Sequence, residues 1–402
     1  MTTVGIICEY NPFHGGHTAQ IRQIRADFGA DCTVVCLMSG NYVQRGEPAI
    51  FSKDLRAKAA VLCGADLVLE LPLTAALRSA EGFAAEGVRI LTDIGCDALS
   101  FGSETADPEL LMQTASLLLR PELDERIRAH LQTGCSYPAA RALALRDLGC
   151  EGAVSQPNDI LAVEYCKAIL RQNSPMEIHA VRRPGDYNAL ELDAEKPSAT
   201  ALRAALVRDR ERGDGSAVSG PAGSDWRAAV PACLHGLYAA APLHTAAAGE
   251  RACLALLRTL PDDAFAALPF GSEGLWSKLM KNCRVCSSVE QILTATKSKR
   301  YTLSRIRRML LCAVLGLRAE DLEREPPYVR VLAFGERGRV LLRRDHGGLR
   351  LINAGQTPPD PAYNNLERRA SDLYGLFSVG AVSPAGEEHR LRVFCSEASR
   401  KD

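Results

Sequence analysis

The sequence predicts an α/β protein in which a doubly wound parallel sheet is followed by a mainly helical C-terminal domain. Two observations predict this fold class. In the first half of the chain, short apolar runs alternate with segments of helical spacing, as they do where parallel strands are joined by crossover helices. After a charged, glycine-rich stretch in the middle of the chain, the spacing is mostly helical.

Five apolar runs in the first half are predicted to be strands, because each is short and is followed by a turn signal or a polar segment. They are Val4–Cys8, Cys32–Met38, Leu67–Leu71, Ala98–Phe101 and Glu177–Val181. A doubly wound sheet binds ligands at the carboxyl ends of its strands, where the strand order reverses. In the usual order the first and fourth strands flank that crevice, so the residues after Cys8 and Phe101 should line a site.

Helices are predicted where apolar residues recur every three or four positions. In the first half they are His17–Phe28, Leu55–Cys63, Ala80–Leu91, Pro108–Leu119, Glu122–Leu131, Pro138–Leu148, Asn158–Leu170 and Ser198–Val207. In the second half they are Arg251–Leu260, Leu275–Lys281, Val289–Thr296 and Leu303–Leu315. The segment Arg208–Asp225 is charged and then rich in Gly and Ser, which is typical of a linker or an exposed loop. We therefore expect two domains, residues 1–207 and 208–402.

The composition is that of an ordinary globular protein: of 402 residues, 47% are hydrophobic and 24% are charged. No apolar run is long enough to span a bilayer, and the N-terminus has no signal-peptide pattern, so we expect a cytoplasmic protein. Among the 14 cysteines, Cys283 and Cys286 form a Cys-x-x-Cys pair. Because no second Cys or His pair stands at zinc-finger spacing, we expect no bound metal there.

The first chemical motif follows the first strand and reads Tyr10-Asn11-Pro12-Phe13-His14-Gly15-Gly16-His17. Glycine lets the backbone approach a phosphate, and the N-terminus of the following helix offers free N–H groups and a positive dipole end. The two imidazoles can donate hydrogen bonds to a phosphate whose charge grows in the transition state. The alternatives are a zinc pair or a turn with incidental histidines, but the position after the first strand favours a phosphate site.

The second motif, Ser198-Ala199-Thr200-Ala201-Leu202-Arg203, places two hydroxyls and an arginine at the start of a helix. Such a helix tip suits a β- or γ-phosphate or departing pyrophosphate. Alone it would be an ordinary capped helix. Together with the histidine motif it predicts two phosphate-binding elements on one sheet, which suits a triphosphate that is split between its α and β positions.

Positive charge is concentrated in one segment of a chain whose formal net charge is zero. Residues 276–350 contain 17 Lys and Arg against 7 Asp and Glu. This excess indicates either a polyanionic partner or a solvated helical surface. Tyr301 in the same segment is an aromatic that can stack on a base. The candidate RNA-binding residues are Lys297, Lys299, Arg300, Arg305 and Arg308.

The two motifs resemble the signatures of the nucleotidyltransferase superfamily. Further strings resemble one family in it, the bacterial tRNA(Met) cytidine acetate ligases, over nearly the whole chain. These strings are Gly5-Ile6-Ile7-Cys8-Glu9-Tyr10-Asn11-Pro12-Phe13-His14, Met38-Ser39-Gly40-Asn41-Tyr42-Val43-Gln44-Arg45-Gly46-Glu47-Pro48-Ala49, Asp66-Leu67-Val68-Leu69-Glu70-Leu71-Pro72, Phe101-Gly102-Ser103-Glu104, Gln156-Pro157-Asn158-Asp159-Ile160-Leu161 and Lys299-Arg300-Tyr301-Thr302. The family often has Asn where this chain has Gly15 and Asp159.

The resemblance implies a Rossmann-like sheet of the nucleotidyltransferase (HUP) type and a two-step ligase. In the first step acetate and ATP give acetyl-adenylate and pyrophosphate. In the second, the acetyl group passes to N4 of the wobble cytidine of elongator tRNA(Met). ATP is then a substrate, and Mg²⁺ is its expected companion. No membrane partner is expected.

The same resemblance implies which residues form the site. His14 and His17 are the expected catalytic residues. The expected ATP-binding residues are Ile7, Cys8, Glu9, Tyr10, Asn11, Pro12, Phe13, His14, Gly15, Gly16, His17, Thr18, Ala19, Gln20, Gly102, Asn158, Arg182, Arg183, Ser198, Thr200 and Arg203. Two carboxylates, Glu104 and Asp159, are hypotheses for the acceptor of the cytidine proton. Arg45 and Lys53 are expected either to contact triphosphate or tRNA or to be surface charges.

Two other functions are compatible with these residues. One is a small-molecule adenylyltransferase acting on a phosphorylated vitamin precursor, but such enzymes tend to be single compact domains, unlike this chain. The other is a tRNA-binding protein with a vestigial nucleotide site. The intact His14, His17, Ser198, Thr200 and Arg203 favour an active enzyme instead.

Overall fold

The computed structural model describes residues 1–134, 137–150, 156–183, 198–212 and 225–396. Its strands are β1 (Thr3–Cys8), β2 (Thr33–Ser39), β3 (Tyr42–Val43), β4 (Glu47–Pro48), β5 (Leu67–Leu71), β6 (Ala98–Ser103), β7 (Glu177–Arg182), β8 (Val329–Phe334), β9 (Leu351–Asn353) and β10 (Phe394–Cys395).

The helices of the first half are α1 (Gly15–Phe28), α2 (Lys53–Leu62), α3 (Leu73–Ala76), α4 (Ala80–Ile94), α5 (Pro108–Leu118), α6 (Pro121–Gln132), α7 (Tyr137–Asp147), α8 (Pro157–Gln172) and α9 (Ala199–Arg212). Those of the second half are α10 (His235–Ala240), α11 (Glu250–Thr259), α12 (Asp262–Ala266), α13 (Leu275–Val285), α14 (Val289–Thr296), α15 (Leu303–Leu315), α16 (Ala319–Glu323), α17 (Glu336–Leu341), α18 (Pro361–Tyr374) and α19 (Glu387–Arg390). Short 3₁₀ turns lie at Trp226–Ala229, Ala232–Leu234 and Gly375–Phe377.

The main sheet has the strand order β10-β8-β5-β2-β1-β6-β7, with β9 paired beside β8. All its pairings are parallel except that between β5 and β8, which is antiparallel. The five predicted strands therefore occur in the predicted doubly wound order, and β1 and β6, the first and fourth of them, are neighbours. The strand order reverses between these two, so the crevice lies where the sequence predicts it.

Helices cover both faces of the sheet because the strands are apolar on both faces. Val4 and Ile6 of β1 belong to a core with Ile21 and Ile24 of α1. Ile7, whose side chain points to the opposite face, belongs to a second core with α4 and α8. These two cores hold the carboxyl ends of β1 and β6 in a fixed place.

The second half adds both helices and strands to this framework. Helices α11, α13, α14, α15 and α18 form a separate apolar core, while β8, β9 and β10 join the sheet of the first half. The helix α9 runs to Arg212, so the start of the predicted linker is helical, and residues 213–224 lie outside the described residues. The division of the chain at residue 207 stays a prediction.

A buried cluster of charges joins the two halves. The Nζ atom of Lys53 lies 2.8 Å from Glu70 and 2.9 Å from Glu388. Arg330 lies 2.9 Å from both Glu388 and Glu367, and all five residues are at most 5% exposed. Lys53 is therefore a structural ion-pair partner here, and the expectation that it contacts triphosphate or tRNA does not fit its burial.

We predict that Lys53→Met lowers the free energy of unfolding by about 3–5 kcal/mol, because two carboxylates then lose a buried partner. Urea denaturation measures the change. The matched control is Lys281→Met on the exposed face of α13, which should change the free energy by less than about 0.5 kcal/mol. Equal stabilities of the two variants would contradict the assigned role of Lys53.

Candidate active site

A cavity opens at the carboxyl ends of β1 and β6. Its walls come from the end of β1 and the loop after it, the β3–β4 turn, the first turn of α4, the end of β6, the first three turns of α8, the end of β7 and the tip of α9. Parallel strands end at one edge of a sheet, so loops that are distant in sequence meet there. The cavity is therefore the site that the strand order predicts.

The end of β1, the loop after it and the first two turns of α1 together contribute more lining residues than any other segment. The expected site residues that line it are Ile7, Cys8, Glu9, Tyr10, Asn11, His14, His17 and Gln20. Those of the same loop that do not line it are Pro12, Phe13, Gly15, Gly16, Thr18 and Ala19. The latter group shapes the loop: Phe13 is fully buried, and a Cβ on Gly16 would lie 3.0 Å from the His14 ring.

The two histidines are fixed by the start of α1. The Nδ1 atom of His14 accepts a hydrogen bond from the Gly16 N–H at 3.1 Å, and Nδ1 of His17 accepts one from the His14 N–H at 3.2 Å. Because an accepting Nδ1 carries no proton, the neutral rings hold their proton on Nε2. Both imidazoles thus offer an Nε2–H donor to a ligand.

Burial keeps these imidazoles neutral. It lowers the pKa of His14 to about 3, with a further contribution from the nearby Arg183. The pKa of His17 is also lowered well below its usual value by burial, and then by His14 and Arg183. Within the described residues the Nε2 atom of His14 is buried without a partner. A buried donor without a partner is costly, which indicates that a ligand completes the site.

The second motif meets the first. Arg203 on α9 donates from Nη1 to the Asn11 carbonyl at 2.9 Å and from Nη2 to Thr200 Oγ1 at 3.2 Å. Arg203 lines the cavity, whereas Thr200 does not and Ser198 is buried just before the helix. The structure therefore brings the histidine loop and the arginine-bearing helix tip to one cavity. The roles of these residues stay predictions.

Residues after β6 and β7 form the opposite wall. Gly102, Asn158 and Arg183 line the cavity, and Arg182 does not. Arg182 instead donates to the carbonyls of Glu104 and Thr105 at 3.4 and 3.2 Å. Successive residues at a strand end point to opposite sides, so only one of these two neighbouring arginines faces the cavity.

Both carboxylates that the sequence suggests as proton acceptors are engaged in holding α8. Glu104 accepts from the Asn158 side chain at 2.7 Å and from the Asp159 N–H at 2.9 Å. Asp159 accepts from Ser103 at 2.5 Å and from Thr105. Burial raises the pKa of Asp159, but these hydrogen bonds outweigh burial and leave it lowered. Neither carboxylate lines the cavity, so neither is placed to take a proton from a ligand.

Residues of the Met-Ser-Gly-Asn string form the β3–β4 turn, which contacts both the cavity and α15. Its Gln44 N–H donates to Glu9 Oε1 at 2.9 Å, and Gln44 and Arg45 line the cavity. Gly46 has φ +79°, and a Cβ there would lie 2.6 Å from the backbone nitrogen of Arg308 on α15. Only glycine fits this contact. The turn therefore connects the cavity with a helix of the second half.

Sequence reasoning missed the apolar wall of the cavity. It is formed by Phe83 of α4, Ile160, Leu161 and Tyr165 of α8, and Phe101 of β6. The rings of Phe101 and Tyr165 have centroids 5.6 Å apart. The adjacency of Phe101 to Gly102 was one signal for this wall, but helical spacing does not show which face of α4 or α8 meets the site.

The candidate RNA-binding residues fall into two groups. Lys297, Lys299 and Arg300, between α14 and α15, are exposed. Arg305 donates to the Phe270 carbonyl and the Ser272 hydroxyl, and Arg308 is buried with its guanidinium 5.0 Å from the Phe270 ring. These two arginines hold the fold, so an RNA contact does not fit Arg308 and would require Arg305 to leave its partners.

The segment's aromatic side chain has a structural place. Tyr301 is 8% exposed, and its hydroxyl donates to the Glu273 carbonyl at 2.6 Å. It is therefore not presented for stacking on a base.

Within the described ranges, no three His, Cys, Asp or Glu side chains are grouped as a metal site would require. In the same ranges, no helix is both long and apolar enough to cross a membrane.

Comparisons with known proteins agree on one family. The model of the HIGH nucleotidyl transferase family matches residues 1–388. The tRNA(Met) cytidine acetate ligase of Caldicellulosiruptor saccharolyticus is 36% identical over 94% of each chain. That of Bacillus subtilis is 33% identical over 94% of this chain and 92% of its own.

Two solved structures of Thermotoga maritima TmcAL are also similar. The apo form has a TM-score of 0.86 and 28% identity, and covers 99% of this chain and 100% of its own. The form bound with alpha-thio ATP has a TM-score of 0.84 and 27% identity over the same shares. The likeness therefore extends over both halves of the chain and includes the sheet that carries the cavity. The chain belongs to the HIGH nucleotidyl transferase family, and within it to the tRNA(Met) cytidine acetate ligases.

Proposed function

We propose that this protein activates acetate with ATP and transfers the acetyl group to N4 of the wobble cytidine of elongator tRNA(Met), forming N4-acetylcytidine. One observation carries the proposal: the neutral His14 and His17 donors share a cavity with Arg203. The family supplies the substrates, since the similar proteins are tRNA(Met) cytidine acetate ligases and one similar structure holds an ATP analogue.

In the first step an acetate oxygen attacks the α-phosphorus and pyrophosphate leaves. Acetate is already ionised near neutral pH, so this step needs no general base. It needs donors for the charge that develops on the phosphate oxygens, and His14 and His17 supply two of them without adding a positive charge. Arg203 adds a fixed cation on the other side of the loop, where pyrophosphate would depart.

The position of ATP follows from polarity. The phosphates belong at the start of α1, where the histidines and the positive end of the helix dipole lie. The apolar wall of Phe83, Phe101 and Tyr165 is left for the adenine ring or the acetyl methyl group. Mg²⁺ stays part of the proposal: it would arrive on the phosphates of ATP and keep several of its waters. A vitamin-precursor adenylyltransferase is not favoured, because the similar proteins match this chain over its whole length.

The exposed Lys297, Lys299 and Arg300 support a tRNA contact in the second half. They lie just before α15, whose backbone contacts Gly46 of the turn that also lines the cavity. An RNA held at these cations would thus lie on an element that adjoins the site. We place the enzyme in the cytoplasm, where its proposed tRNA substrate is found.

The proposal predicts label in N4-acetylcytidine when the protein is incubated with ATP, labelled acetate and tRNA(Met) and the RNA is then digested. Omission of ATP should abolish the product, because acetate alone is a poor acyl donor. A matched tRNA(Met) with uridine at the wobble position is the control for the modified atom. Pyrophosphate release only with a phosphorylated small molecule would contradict the proposal.

We predict that His14→Asn and His17→Asn each slow acetate-dependent ATP–pyrophosphate exchange by about 100-fold to 1,000-fold, because the shorter Asn side chain places no donor where the imidazole Nε2 atom meets the phosphate. Asn at position 14 can still cap α1, so the fold should persist. Circular dichroism checks this. His389→Asn, at an exposed position of α19, should leave exchange unchanged, and unchanged exchange in either site variant would reject its assigned role.

We predict that the triple variant Lys297→Ala, Lys299→Ala, Arg300→Ala binds tRNA more weakly and with a smaller salt dependence. Each lost phosphate contact should reduce the slope of log K against log salt by about 0.7–0.9. Binding titrations at several salt concentrations measure the slope. Arg126→Ala on the exposed face of α6 is the control, and a triple variant with the wild-type slope would remove this surface from the tRNA site.

A further inference from the structure

Acetyl transfer to cytidine releases a proton that some group must accept. The N4 lone pair attacks the acetyl carbon of acetyl-adenylate, a C–N bond forms, and the C–O bond to the phosphate breaks with its electron pair going to AMP. The exocyclic amine of cytosine is a weak nucleophile, and it becomes acidic only as the C–N bond forms. A positioned base therefore accelerates this step.

The histidines do not fit this task. The Nδ1 atoms of His14 and His17 already accept backbone N–H groups, and their Nε2 atoms carry the proton. Each ring can therefore donate a hydrogen bond but has no free lone pair for a proton. Glu104 and Asp159 are likewise excluded, since their oxygens hold the start of α8 and neither lines the cavity.

One carboxylate is left. Among the described residues that line the cavity, Glu9 is the only Asp or Glu. Its Oε1 atom is held by the Gln44 N–H at 2.9 Å, and its Oε2 atom accepts no hydrogen bond from the described part of the chain. It follows β1 directly and precedes His14 by five positions, so it adjoins the proposed phosphate site.

We propose that Glu9 is the general base that takes the proton from N4 of cytidine while the acetyl group is transferred. This assignment rests on the proposed function. The carboxylate is ionised before the step, receives the N4 proton through Oε2, and returns it to solvent after AMP and the acetylated tRNA leave. No further reactant is needed, and charge and atoms balance.

The surroundings of Glu9 suit a base. Burial raises the pKa of Glu9, and the Gln44 N–H and the charges of Arg45, Arg203 and Arg56 oppose the rise. These groups come from the β3–β4 turn, α9 and α2, and burial together with the charge of Glu9 raises the pKa of Tyr165 on α8. A carboxylate with a raised pKa accepts a proton more readily than an exposed one. The three arginines also limit its repulsion of the phosphates.

The two half-reactions test the assignment separately. Glu9→Gln should slow acetate-dependent ATP–pyrophosphate exchange much less than it slows acetyl transfer, because adenylation uses no base. Transfer from synthetic acetyl-adenylate to tRNA(Met), measured in a single turnover as N4-acetylcytidine, should fall by about 100-fold or more. The control is Glu47→Gln, which removes a carboxylate of β4 that pairs with Arg307 and does not line the cavity, and it should change neither rate.

The pH profile gives a second readout. The wild-type transfer rate should rise with pH as Glu9 ionises and then level off, and in Glu9→Gln it should be independent of pH over the same range. Equal losses in exchange and transfer would assign Glu9 to ATP or its metal ion and overturn the proposal, and so would an unchanged transfer rate. A wild-type protein that exchanges pyrophosphate but never acetylates the tRNA would refute the proposed function itself.

Discussion

The proposed chemistry of the site depends on two backbone hydrogen bonds at the start of α1. They hold the Nδ1 atoms of His14 and His17 as acceptors and so leave each ring with a protonated Nε2 atom. Burial then keeps both rings neutral. From this constraint it follows that the histidines stabilise phosphate by donation, that they add no charge of their own, and that any proton released later must go elsewhere.

The fold positions the histidine-bearing loop by bringing distant segments of the chain to one edge of the sheet. The tip of α9 contacts the loop after β1 through the hydrogen bond from Arg203 to the Asn11 carbonyl. The β3–β4 turn contacts the same loop through the hydrogen bond from the Gln44 N–H to Glu9. That turn contacts α15 at Gly46, and the buried ion pairs of Lys53 with Glu70 and Glu388 connect the two halves of the chain.

Much of the sheet and of the cavity lining could be predicted from the sequence, because both depend on hydrophobic periodicity and on short motifs. Hydrophobic periodicity and turn signals predict five strands of the main sheet within two residues and in the right order, but not the short strands β3 and β4. They did not show β8, whose place depends on antiparallel pairing with β5, or the burial of Lys53, whose partner Glu388 is 335 positions away. Short motifs also do not encode the contacts that bury Tyr301 and Arg308. Nor do they show that Arg183, and not Arg182, lines the cavity.

The most direct test of the account is the protonation of these two rings, measured by ¹⁵N NMR on histidine-labelled protein with His14→Asn and His17→Asn for assignment. We expect both rings in the Nε2-protonated neutral form, with nitrogen shifts that stay constant between about pH 5 and pH 8. A ring that titrates near its ordinary pKa of about 6.5, or that carries its proton on Nδ1, would contradict the account.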